Sequence, residues 1–147
     1  MDVSRWEAHT MRAIEEERNQ RPMLSIVHYQ LALSEAEALN AAAEAQDDLE
    51  MLLTIRIASC HNLAAFWRKV GEHDDELKYL QLASEHVLNL LPQCPNKKCD
   101  AFISSLGCCK AALVSFLKRH PDPQIAKQVE NFNHYSHCEL IARFQIH

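Results

Sequence analysis

A chain of 147 residues, 48% hydrophobic and 24% charged, is long enough to bury the core of a single domain spanning residues 1–147. Its net charge of -5 argues against non-specific nucleic-acid binding, which needs a basic surface to neutralise phosphates. Two glycines in the whole chain disfavour hairpin-rich sheets and phosphate-cradling loops, both of which lean on glycine.

Apolar periodicity predicts six helices. The first covers about Val3 to Arg18, with Trp6 placed to staple its start. The second runs from Pro22, whose missing N–H suits a first turn, to about Ala45, with a bend allowed in the alanine-rich stretch from Asn40. Asp47 and Glu50 resemble a capping box for the third helix, which reaches about Val70. Its stripe Leu49, Leu53, Ile57, Cys60, Ala64 and Trp67 keeps one face, and Leu52, Leu63, Phe66 and Val70 widen it, so this helix is expected to have neighbours on two sides. Trp67 is expected in the core.

Gly71 fits the left-handed residue past a helix end, and Asp74 or Asp75 can cap the next start. The fourth helix carries Leu77, Leu80, Ala83, Val87 and Leu91 and stops at Pro92. A fifth runs from about Lys97 to Lys118, on a stripe of Phe102, Leu106, Cys109, Leu113 and Phe116. The segment His120-Pro121-Asp122-Pro123 is a boundary, with Asp122 capping and Pro123 opening the sixth helix, where Ile125, Val129 and Phe132 face inward. The segments His28 to Glu35 and Lys78 to Glu85 are alike, each with a tyrosine and a Ser-Glu pair, which fits three successive antiparallel helix pairs.

Residues 60–92 resemble a tetratricopeptide repeat. Leu63, Gly71, Leu80, Ala83 and Pro92 occupy the repeat's first-helix leucine, turn glycine, large and small second-helix positions and terminal proline. Leu106-Gly107 repeats the leucine-glycine pair of a first helix. Glu76 departs from the pattern, standing where a small residue belongs. The resemblance implies an all-α array of three stacked pairs with a groove for a peptide or helix of another protein.

Chemistry-bearing clusters read mainly as structure. Cys94, Cys99 and His137 could in principle hold zinc, but no C-x-x-C pair exists, so no cofactor or metal is expected. Cys60 and Cys109 lie in apolar stripes, where a thiol behaves as a small hydrophobe. Cys60 and His61 diverge by about 100° on a helix, so they make no nucleophile and base pair. The acidic turn from Glu72 to Asp75 complements a helix dipole. Glu15-Glu16-Glu17 reads as a solvated face, and Lys118-Arg119 as basic residues favourably placed at a helix end. Tyr29 and Tyr79 either face a groove or cover the edge of the core, and with His86 they are the candidate partner-binding residues.

The expectation is therefore a non-catalytic adaptor or regulatory module that docks a segment of another protein. The alternatives are a secretion or flagellar-type export chaperone and a Cys/His metal-binding protein. The first residues (Asp2, Arg5, Glu7, Arg12) form no apolar leader and no stretch approaches the ~20 apolar residues of a membrane span. A cytoplasmic setting with six reduced cysteines follows. Self-association through Ile141, Phe144 and Ile146 near the C-terminus is a further expectation.

Overall fold

A computed structural model describes residues 1–40, 46–90 and 100–134, and within them the chain is all-helical. The helices are α1 (Ser4–Arg18), α2 (Pro22–Ala38), α3 (Gln46–Lys69), α4 (His73–Leu90), α5 (Asp100–Arg119) and α6 (Pro123–His134). Each odd-numbered helix folds back on the next, giving three antiparallel pairs. Successive pairs stack through α2 on α3, α4 on α5 and α3 on α5. Trp6 Nε1 donates to Ser59 Oγ at 2.7 Å, and Lys69 Nζ pairs with Glu17 at 2.9 Å, which ties α1 to α3. On the other side His86 of α4 meets Glu37 of α2. The first helices of the pairs thus form one layer and α2 and α4 lie in a second.

The turns explain why the pairs close. After α1, Arg21 N–H donates to the Glu16 carbonyl and Gln20 N–H to that of Glu17. After α3, Glu72 N–H donates to Trp67 and Gly71 N–H to Arg68. Both are Schellman ends, which need a residue in the left-handed region. Gly71 supplies it at φ 83° as expected, whereas Gln20 adopts φ 59° despite its side chain. The α6 start is also as expected, because Asp122 Oδ1 accepts from Gln124 N–H at 2.9 Å.

Two boundaries differ from the sequence expectation. Helix α2 ends at Ala38, and Leu39 is extended at ψ 142°. Arg56 of α3 takes the released carbonyls, its guanidinium donating to Ala36, Glu37 and Leu39. A tertiary cation therefore satisfies the end of α2. Helix α4 begins at His73, so Asp74 and Asp75 lie in its first turn and do not cap it. The side chain of Asp47 lies outside the described residues.

The core is continuous. On α3, Leu52, Leu53, Cys60 and Leu63 are almost wholly excluded from solvent. Phe102, Leu106, Cys109 and Leu113 of α5 and Leu80, Ala83 and Val87 of α4 close around them. Trp67 is only half-buried at the margin, edge-on to Phe66 with ring centroids 5.3 Å apart. Ile125 and Val129 of α6 are buried, and the side chain of Phe132 is outside the described set.

Glu76, the departure from the repeat pattern, is buried at 4% exposure. Its two carboxylate oxygens accept from Arg119 Nη1 and Nη2 at 2.9 and 2.6 Å. A bidentate clamp of this kind is among the stronger polar contacts. It joins the start of α4 to the last turn of α5.

Three stability outcomes follow. Leu63→Ala should cost about 2–5 kcal/mol in denaturant unfolding, because its site is closed on all sides. Arg119→Ala should cost about 3 kcal/mol, since it strands the Glu76 carboxylate in the interior. Gln20→Gly should raise stability by about 1 kcal/mol by relieving the left-handed strain.

Candidate functional site

The sequence candidates do not come together on one surface. Tyr29 is buried, packs near Phe66 and donates its hydroxyl to Glu17 at 2.5 Å. Burial, reinforced by the Glu17 carboxylate, pushes its phenol well above the ordinary tyrosine range. Tyr79 is also buried, with Lys78 Nζ lying 5.2 Å from its ring centroid. His86 is buried, its Nε2 3.1 Å from Glu37 Oε2 but out of line for a hydrogen bond. Burial lowers the affinity of His86 for a proton and outweighs the pull of Glu37. All three side chains spend their contacts on joining α2 to its neighbours or on the core.

The acidic run in α1 divides in a way its spacing did not reveal. Glu15 is exposed, but Glu16 is buried at 2% exposure between Arg12 at 3.3 Å and Arg21 at 3.4 Å. Glu17 collects Tyr29 and Lys69. Burial alone would raise the Glu17 carboxyl, but the two donors outweigh it and hold it below the usual carboxylate value. The run is one solvated residue beside two structural hubs.

The surface that stays open is the outward face of the first layer. On α3, Met51, Thr54, Ala58, His61, Asn62 and Ala65 share one side of the helix, opposite the core stripe. No Asp, Glu, Lys or Arg occurs between Arg56 and Arg68. Ala58, His61 and Asn62 are half-buried on this side of the helix, and Met51, Thr54 and Ala65 are exposed. Burial holds the His61 imidazole below its ordinary value, so it is neutral, and its Nε2 is buried without a hydrogen-bond partner among the described residues. Next to it, α5 exposes Ser104, Gly107, Cys108, Ala111 and Ser115, again small and uncharged. Periodicity had marked these positions as merely non-core; only the packing of α3 on α5 joins them into one neutral strip.

Cys60 and Cys109 are wholly buried, and desolvation raises both thiols to about 12, far from a reactive thiolate. Among the described residues no group of three His, Cys, Asp or Glu side chains could hold a metal ion. Cys94, Cys99 and His137, the possible zinc set, lie outside the described residues, as do Ile141, Phe144 and Ile146. No described helix is long and apolar enough to cross a membrane.

Two measurements check this electrostatic picture. In native protein, alkylation mapped by mass spectrometry should modify the exposed Cys108 and spare Cys60 and Cys109, which should react only after unfolding. Stability should fall on acidification in two stages. His61 and His86 have lowered folded values, so the unfolded chain takes up protons first as pH drops below the ordinary 6.5 of imidazole. Glu17 has a lowered folded value too, and its contribution should be lost below the ordinary 4.5 of glutamate. A melting temperature that stays flat between pH 7 and 5 would contradict the first stage.

The comparisons with known proteins give a family and no solved counterpart. Residues 4–147 match the family model described as a protein of unknown function, DUF2753. An uncharacterised protein of Vibrio parahaemolyticus is 51% identical over 144 residues, covering 98% of this chain and 99% of the relative. No solved structure matches. With nearly the whole chain covered by the family model, the protein belongs to the DUF2753 family.

Proposed function

We propose that this protein is a non-catalytic adaptor of tetratricopeptide-like architecture that receives a segment of another protein on the outward face of α3 and α5. The observation that carries this reading is the uncharged side of α3 opposite its core stripe: Met51, Thr54 and Ala65 exposed and Ala58, His61 and Asn62 half-buried, within a run free of Asp, Glu, Lys and Arg. In a chain that is 24% charged, adjoining strips of small neutral residues on α3 and α5 leave room for a guest backbone to approach closely. Apolar contact with Met51, Ala58 and Ala65 supplies affinity. Charges at the ends of this face, such as Arg68, set partner choice more than strength. The absence of a described membrane-crossing helix agrees with a cytoplasmic site of action.

This reading moves the partner-binding residues from Tyr29, Tyr79 and His86 to the α3 face, because the first three are engaged in the interior. The test is co-purification from the native cell with quantitative proteomics. Ala58→Arg and Ala65→Arg should each reduce recovery of a specific partner by about tenfold or more, since each places a charge in an apolar contact. Their melting temperatures should match wild type, and Glu130→Arg on the exposed side of α6 should leave recovery unchanged. Undiminished recovery with both α3 variants would sink the assignment.

A further inference from the structure

A second surface lies on the opposite layer. Helix α2 carries no Asp, Glu, Lys or Arg from Pro22 to Ser34 and bears large apolar residues on its exposed side as well as its buried one. One side, with Ser25, Tyr29, Ala32, Leu33 and Ala36, is buried in the chain's own core. The other side exposes Met23 at 78%, Leu24 at 45%, Val27 at 46% and Leu31 at 41%. A helix that is apolar all round is normally covered all round. The end pair of a helical array normally turns a polar face outward, and this one does not.

The pattern on the exposed side is specific. Leu24, Val27, Leu31, Ser34 and Ala38 are spaced three, four, three and four, the seam of two helices packed side by side. Charges flank the seam asymmetrically. Arg21, 59% exposed, stands at the N-terminal end, and Glu35 and Glu37 stand in the last turn. That is the reverse of what the α2 macrodipole favours, which is anions at the start and cations at the end.

We infer that α2 is a self-association surface on which a second copy of this chain docks, its own α2 antiparallel across a two-fold axis between Val27 and Leu31. The arrangement answers each observation. Val27 faces Leu31 of the partner subunit, and Leu24 faces the smaller Ser34 of the partner subunit, so large opposes small. Arg21 comes within a turn of Glu35 of the partner subunit on the same flank of the seam, and the symmetry axis makes the contact twice. Arg21, which within its own chain shares the buried Glu16 with Arg12, then gains a second carboxylate across the axis. A face that is its own complement when reversed identifies another copy of itself as the occupant, and such an isologous contact closes at two copies. The surface is separate from the α3 face, so this inference stands or falls independently of the adaptor reading.

Light scattering coupled to gel filtration tests it on the full chain. Wild type should show twice the chain mass of 16.9 kDa at high concentration. Leu31→Lys and Val27→Lys should each return it to one chain mass, while the helical circular dichroism and melting profile of the fold persist, because both sites are already solvent-exposed. Glu35→Arg should weaken association about tenfold, because it sets like charges against Arg21 across the axis. A wild type that is monomeric throughout, as it would be if a different protein covers the face, overturns the inference. So does a dimer indifferent to Leu31→Lys and Val27→Lys.

Discussion

Burial of α3 on three sides is the constraint from which the rest of the structure follows. Its apolar stripe is too wide for one partner, and α1, α2, α4 and α5 each supply a part of its covering. A helix in that position cannot rotate without exposing Leu52, Leu53, Cys60 or Leu63. Its rotation being fixed, the remaining side of α3 is committed to the outward face of the first layer. The same rotation that hides the leucines sets Ala58, His61 and Ala65 on the opposite side of the helix.

Polar contacts set the angles between the pairs that burial alone would leave loose. Arg56 reaches from α3 to the last carbonyls of α2. Glu76 and Arg119 clamp α4 to α5. Glu16 and Glu17 draw Arg12, Arg21, Tyr29 and Lys69 into a frame around the α1 to α2 turn. Hydrophobic burial is non-directional, whereas a bidentate guanidinium fixes both distance and orientation.

The two open surfaces differ in chemistry in a way that matches different tasks. The α3 and α5 face carries small, uncharged residues, suited to admitting a backbone. The α2 face carries large apolar residues bordered by charges of both signs, suited to contact with a folded body. Because they occupy opposite layers, a pair of chains joined through α2 would present two α3 faces directed away from each other. Such a pair could engage two segments at once, and paired sites gain from effective concentration when both are filled.

Local rules fixed by sequence alone account for the six helices, the Gly71 turn, the Asp122 cap and the identity of most core residues, since each depends on residues within a few positions of one another. The placement of Leu63, Leu80 and Leu113 inside needed nothing beyond a 3.6-residue period. What only the tertiary structure decided were matters of long separation. The stop of α2 at Ala38 depends on Arg56 in another helix, and the burial of Glu76 depends on Arg119 from the following pair. Tyr29 and Tyr79 could turn either way on local grounds, and the approach of α1 and α3 turned Tyr29 inward. The exposed side of α2 reads from sequence as ordinary core, because periodicity reports how apolar a face is and cannot report whether anything covers it.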